Sequence, residues 1–264
     1  SMKKEDWGSI LKKKRLSFKS NKKLEEYYQY KYATEGYKKG YKLFGINISK
    51  IFHKERHNAS LELLRPNKNE IILDAGCGEG ALSLRIARKA RRVYALDIAP
   101  NAFKKIKNKA PKNLFFQKGN TEKLGFKKEF FDKIVSVETL EHVLHPLKMI
   151  SELSRVLKKG GKLILTYPTI DQTIIAKLEK FFHIRDLTSV SEHLTEWDYK
   201  RIIKQIERYN FKFLKARGIV FDLGRFGKIQ KISKNMMRKV LKFKLGIKNC
   251  PKNSLFVAFE FEKI

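Results

Sequence analysis

The sequence predicts an α/β fold, a mostly parallel sheet with helices on both faces. Three observations predict it. Ile71-Ile72-Leu73-Asp74-Ala75 reads as a buried strand, Gly76-Cys77-Gly78-Glu79-Gly80 as a tight turn, and 81–90 as a helix with Leu82, Leu84, Ile86 and Ala87 among polar positions. Residues 93–98 form a second short apolar strand ending in the carboxylate of Asp97. Downstream, apolar strands keep alternating with helical stretches, the order that gives parallel pairing through right-handed crossovers.

Taken in order, residues 1–48 are expected to form a helical cap. Lys12-Lys13-Lys14-Arg15 is a basic cluster, and Tyr27, Tyr28, Tyr30, Tyr32, Tyr37 and Tyr41 suit a short helix packed on the core. A cofactor-binding core is expected over 49–170. It opens with a helix over 51–64, which the Pro66-Asn67 turn ends. After the second strand come a helix over 100–109, a third strand over 113–117 and a fourth over 133–137. Residues 146–157 carry Leu147, Ile150, Leu153, Val156 and Leu157 at helical spacing. Lys158-Lys159-Gly160-Gly161 reads as a turn before a fifth strand over 162–166.

Residues 171–264 are expected to complete the same domain. A short apolar helix over 174–182 is followed by one running to about 209, with Thr195 as its N-cap. Segments 211–220 and 255–261 alternate like strands. Between them, 226–245 interleaves Lys231, Lys234 and Arg238 with Ile232, Met236, Met237 and Val240. Such a basic amphipathic helix can lie on RNA or an acidic membrane, or dock on its own domain.

With 59 basic and 27 acidic residues among 264, the formal net charge is +32, which points to an anionic partner such as nucleic acid, acidic lipid or a phosphorylated substrate. A lysine-rich proteome would give the same excess without any such partner. Two cysteines offer no disulfide framework, so a cytoplasmic, reducing setting is expected, with membrane association peripheral at most. No apolar run reaches the roughly 18 residues of a membrane span.

The glycine turn has a chemical reading. Glycines let the backbone approach a ligand, and the N–H groups at the following helix start face it. Asp97 lies 21 residues beyond Gly76, the spacing at which an acid meets both hydroxyls of a ribose in nucleotide-binding units. An ordinary strand–helix turn is the plain alternative.

Here the residues resemble a family. Asp74-Ala75-Gly76-Cys77-Gly78-Glu79-Gly80 resembles the first motif of class I S-adenosyl-L-methionine-dependent methyltransferases, Asp/Glu-x-Gly-x-Gly-x-Gly. Asp97-Ile98 resembles the ribose-binding end of that family's second strand. Gly119-Asn120-Thr121-Glu122-Lys123-Leu124-Gly125-Phe126 resembles its adenine-flanking loop, with Asn120 where Asp is commoner. Glu138-Thr139-Leu140-Glu141-His142-Val143 resembles the turn after strand four in type 11 and ubiquinone-biosynthesis O-methyltransferases.

The resemblance implies a Rossmann-like, seven-stranded sheet closed by an antiparallel pair, and a cofactor that leaves as S-adenosyl-L-homocysteine. It implies cofactor contacts from Asp74, Gly76, Cys77, Gly78, Asp97, Ile98, Asn120, Thr121 and Glu138. It also implies that Tyr28 and Tyr37 line the acceptor pocket, and that His193 belongs to a cover over the acceptor.

The reaction is methyl transfer from a sulfonium, so the protein must align the acceptor and, for a hydroxyl, supply a base. His193 is the expected base, because imidazole titrates near neutrality; His142 is its rival, and Glu138 ends strand four where it meets cofactor or acceptor. Structural roles for all three remain the alternative. Some relatives hold a divalent metal with such acids and histidines. No metal is expected here, because Glu141 and His142 are adjacent and converge only on an irregular backbone.

The expected acceptor is a small-molecule, lipid-like or glycan hydroxyl, ahead of an amine. RNA methylation and non-catalytic binding of an anionic partner are the alternatives. The chain has no Asp/Asn-Pro-Pro-Tyr/Phe stretch for base-amine methylation, no zinc spacing and no support for serine-hydrolase chemistry.

Overall fold

The computed structural model describes residues 18–34, 42–43, 46–169, 193–221, 251 and 254–264. Tyr37, the basic cluster at 12–15, the helix expected at 174–182 and the basic helix expected at 226–245 lie outside the described residues.

Helix α1 (Asn21–Thr34) is followed by the two-residue strands β1 (Lys42–Leu43) and β2 (Ile46–Asn47) and by α2 (Ile48–Leu64). The core then runs β3 (Ile71–Ala75), α3 (Ala81–Ala87), β4 (Arg92–Asp97), α4 (Lys104–Lys107), β5 (Leu114–Lys118) and β6 (Phe131–Val137). A single 3-10 turn (Leu140–His142) leads to α5 (Pro146–Val156) and β7 (Leu157–Pro168). Helix α6 (Tyr199–Glu207) and strands β8 (Phe211–Phe221) and β9 (Ser254–Lys263) follow.

The main sheet has seven strands in the order β5-β4-β3-β6-β7-β9-β8. Strands β5 to β7 pair in parallel, and β9 inserts antiparallel to both β7 and β8. This is the class I methyltransferase architecture that the motifs imply.

Strand alternation builds two cores, one on each face. Leu73, Ile134, Leu163 and Phe259 join α5 and α6 on one side. Their strand neighbours Ile72, Val135, Ile164 and Ala258 join α2 and α3 on the other. Helix α5 buries Met149, Ile150, Leu153 and Val156 along one stripe, and Pro146 starts it where no N–H is needed. Truncating Leu153, 1% exposed, to alanine is expected to cost about 2–5 kcal/mol.

Several elements differ from the sequence reading. The helix expected over 100–109 is only Lys104–Lys107, since like charges at Lys104 and Lys107, and at Lys105 and Lys109, face one another one turn apart. The N-cap of α6 is Asp198, not Thr195: its carboxylate accepts from Arg201 N at 2.6 Å. Thr195 N–H is instead given to Glu141 O at 3.2 Å. The turn expected at 158–161 is part of β7, entered through a register shift opposite Phe131 and Lys133, with Gly160 at φ 72°.

Candidate active site

Parallel strands put their C-terminal ends on one edge of the sheet, where Asp74, Asp97, Asn120 and Glu138 gather. The glycine turn after β3 is left-handed at Gly76 (φ 81°), Gly78 (φ 50°) and Gly80 (φ 75°). Gly76 N and Cys77 N donate to Leu96 O at 2.8 and 3.0 Å, which seals the turn against β4. A Cβ at Gly76 would stand 2.3 Å from Thr139 Oγ1, so the loop after β6 closes only on a glycine.

Asp97 organises this end. Its Oδ2 accepts from Gly78 N at 2.8 Å and its Oδ1 from Ala99 N at 2.9 Å. Burial pushes its pKa up to about 6, against the pull of the N–H bonds from Ala99 and Gly78. Each oxygen keeps a further lone pair, so the carboxylate can accept from both hydroxyls of a ribose. Behind it, Asp74 accepts from Ser83 Oγ at 2.6 Å; burial raises its pKa to about 7, Ser83 opposes this, and the charge of Asp97 adds to it. The Cys77 thiol is pushed up well above its ordinary value by burial, which makes it a poor nucleophile.

A cavity of about 1200 Å³ runs from these groups to the far side of the site. Asp74, Gly76, Cys77, Gly78, Asp97 and Ile98 line one end, with Asn120 and Thr121 beside them. Tyr28, Glu138, Glu141, His142 and His193 line it further on. Every predicted site residue in the described part of the chain therefore reaches one cavity. The donor set and the glycine cradle fit an adenosyl cofactor.

Glu138 stands at φ 50°, an uncommon conformation for a residue with a side chain. Its Oε1 accepts from Thr166 Oγ1 at 2.8 Å, and its Oε2 takes the guanidinium of Arg56 at 3.0 Å. Burial raises its pKa, while Arg56 and Thr166 hold it down. Arg56 also lies over the Phe256 ring and donates to His53 Nδ1 at 3.0 Å. Since guanidinium only donates, the neutral imidazole of His53 carries its proton on Nε2.

His53 and His57 line the cavity too, both lowered to about 4 by burial first and Arg56 next. The sequence reading passed over this trio. Its signal was the i, i+3, i+4 spacing of 53, 56 and 57, which puts all three on one helix face.

At the far end, the irregular backbone that adjacent ligands require is present. Glu138 at positive φ and the 3-10 turn bring Glu141 and His142 inward together. Glu141 O accepts from Leu194 N at 2.7 Å, which draws His193 to the same spot. The His142 and His193 rings lie 5.2 Å apart edge to face, and Tyr28 meets His142 at 6.1 Å.

Neither carboxylate oxygen of buried Glu141 has a hydrogen-bond partner among the described residues. Burial, then the charge of Glu138, pushes its pKa well above the usual range. Glu141, His142 and His193 each offer a ligand atom within 4.8 Å of the others, a set that could hold a divalent cation. His193 also borders a second cavity of about 270 Å³ with Tyr167, Thr195 and Trp197. Tyr167 OH donates to Thr195 O at 2.6 Å and accepts from Trp197 N at 3.0 Å, which fixes that wall.

Comparison with known proteins agrees with this architecture. Residues 73–165 match the family model described as a methyltransferase domain. An uncharacterised protein of Methanocaldococcus jannaschii is 31% identical over 163 residues, covering 62% of this chain and 68% of the relative. A ubiquinone/menaquinone biosynthesis C-methyltransferase of Zymomonas mobilis is 27% identical over 176 residues, covering 64% of this chain and 73% of the relative. Among solved structures, the magnesium protoporphyrin IX methyltransferase of Synechocystis, with bound S-adenosylhomocysteine, superposes with a TM-score of 0.63 at 16% identity. That superposition covers 93% of this chain and 100% of the other, and with such low identity it speaks for the fold alone. With its strand order, its glycine turn and the buried acid that ends β4, the chain belongs to the class I S-adenosyl-L-methionine-dependent methyltransferases.

Proposed function

We propose that the chain methylates a hydroxyl of a small-molecule, lipid-like or glycan acceptor, ahead of an amine. The observation that carries this reading is the group of buried Glu141 and half-buried His142 and His193, which lines the same cavity as the glycine turn. A hydroxyl must lose its proton as the methyl group arrives, and imidazole is suited to take it.

In this reading, Asp97 accepts from the ribose hydroxyls, Ile98, Asn120 and Thr121 flank the adenine, and Asp74 with Gly76, Cys77 and Gly78 cradles the methionine portion. When bound, S-adenosyl-L-methionine supplies the electrophilic methyl group. Glu138, held by Arg56 and Thr166, borders cofactor and acceptor without acting as the base. His193 takes the hydroxyl proton, with His142 as its rival, and Tyr28 lines the acceptor's side.

A second reading has its own support in the carboxylate of Glu141, which has no hydrogen-bond partner among the described residues and lies 3.8 Å from His142 Nε2. A divalent cation held by Glu141, His142 and His193 would polarise the acceptor oxygen and lower its pKa. The relative named as a C-methyltransferase makes carbon a third acceptor atom to examine.

The experiment is transfer of a tritiated methyl group to quinol, lipid, glycan and RNA panels, with and without a chelator. Label in a small-molecule hydroxyl supports the reading, and chelator sensitivity selects its metal form. Label confined to RNA would replace it, and with it the cationic segment 226–245 would become the RNA-holding surface. No described helix is long and apolar enough to cross a membrane.

A further inference from the structure

We infer that Glu122, outside the catalytic group, is a positioning residue that couples the adenine end of the cavity to both the catalytic turn and the cap helix. The inference rests on the cofactor placement proposed above. Glu122 is 8% exposed, and its carboxylate accepts from three donors on two distant segments. Oε1 takes Leu144 N at 2.9 Å and His145 N at 3.0 Å, at the end of the loop that carries Glu141 and His142. Oε2 takes Asn21 Nδ2 at 3.0 Å, at the first residue of α1. The backbone N–H of Glu122 donates to Asn120 Oδ1 at 2.8 Å.

The arrangement ties three pieces that sequence keeps apart. Asn120 and Thr121 border the cofactor end of the cavity, and Glu122 is the next residue. Its carboxylate fixes where the turn bearing His142 ends. The same carboxylate pins the start of α1, whose Tyr28 ring meets His142 at 6.1 Å. Ordering of 120–121 by a nucleoside therefore tightens Glu122, and Glu122 tightens both the turn and the cap. Asn or Asp would be too short to span these donors, and an apolar residue would take the acceptor away from the Leu144 and His145 N–H groups.

Glutamine should serve. Its oxygen can keep the amides of Leu144 and His145, while its NH₂ faces Asn21. Asn21 Oδ1 is buried without a hydrogen-bond partner among the described residues, so turning the Asn21 amide remakes that contact with reversed polarity.

The test is amide hydrogen exchange on the full chain, with and without S-adenosylhomocysteine, for wild type, Glu122→Ala and Glu122→Gln. In wild type, the ligand should slow exchange at 76–80, 140–145 and 21–34 together. In Glu122→Ala, protection should survive at 76–80 and be lost at 140–145 and 21–34; Glu122→Gln should restore it. Ligand-induced protection of 140–145 that persists in Glu122→Ala overturns the inference.

If wild type shows no ligand effect even at 76–80, the cofactor placement fails and the ligand-free data decide the coupling. Faster exchange at both 21–34 and 140–145 in Glu122→Ala supports it, and faster exchange at only one overturns it. Should Glu122→Ala not fold, Asn21→Ala with ligand serves. It must loosen 21–34 and leave 140–145 protected, and loss at neither segment overturns the inference.

Discussion

The guanidinium of Arg56 lies 3.0 Å from the carboxylate of Glu138, and the two side chains are only 11% and 13% exposed. Helix α2 thereby neutralises the acid that ends β6, at a residue whose own backbone is strained. Removing the cation leaves a buried carboxylate without its charge partner. Arg56→Met is expected to destabilise the fold by about 3–5 kcal/mol at neutral pH. The deficit should shrink on acidification, as Glu138 takes up a proton and no longer needs the pair. Melting curves from pH 5 to pH 8 check this; a deficit that does not change with pH would show that the loss is packing alone.

Asp97 should make cofactor affinity depend on pH. Its carboxyl is raised to about 6, and only the ionised form accepts from both ribose hydroxyls. Affinity for S-adenosylhomocysteine should therefore fall as pH drops through about 6. Asp97→Ala should weaken binding tenfold or more, from loss of charge-assisted bonds worth about 1.5–3 kcal/mol each. Calorimetry at pH 5 and 7.5 measures both effects. For the ligand-free fold the direction reverses. The folded state holds this proton more tightly than the unfolded one, so the contribution of Asp97 to stability is lost as pH rises through about 6.

His53 and His57 act with the opposite sign. Both are depressed from 6.5 to about 4 by burial and by Arg56, so the unfolded chain binds their protons first. Their contribution to stability is complete above about 6.5 and declines as pH falls towards 4. A His53→Gln, His57→Gln double variant should lose less stability between pH 7 and pH 5 than wild type does. Denaturant titrations at the two pH values supply the comparison, and an identical acid loss in both proteins would dismiss the assignment.

The proposed catalytic group can be dissected once an acceptor is identified. His193→Ala should lower turnover by about 10²–10⁴-fold, with cofactor affinity kept within a small factor. His142→Ala, assayed beside it, identifies the base by the larger fall. If a cation is used, Glu141→Gln should abolish reactivation by added divalent metal after chelation, whereas base catalysis alone predicts no chelator effect. A fully active His193→Ala enzyme would remove His193 from the mechanism.

The parts of the site that were legible in the sequence are those built from contiguous residues. A strand, a glycine turn and a helix start form one local unit, so Gly76, Gly78 and Asp97 could be placed by spacing, and Asn120 and Glu138 by their position after strands. Arg56 and Glu122 act through contacts across 82 and 101 positions, which no local pattern encodes. The N-cap of α6 went to Asp198 because tertiary bonding had claimed the Thr195 backbone, a competition visible only in three dimensions. Gly160-Gly161 resembles a turn by composition, yet neighbouring strands hold it in the ladder as a bulge. Glu141 and His142 looked poorly placed to converge, because a left-handed glutamate is not something a sequence announces.

The strand order has a consequence for how the chain reaches this state. β9 lies between β7 and β8, yet it is made after both. Until Ser254–Lys263 emerge from the ribosome, β7 keeps an apolar edge unpaired and β8 has no neighbour in the sheet. The nascent protein can therefore assemble its nucleotide-binding half early, but must wait for the closing strand. A chain stalled before residue 254 would expose a sticky border, the kind of surface on which chaperones act and aggregates grow.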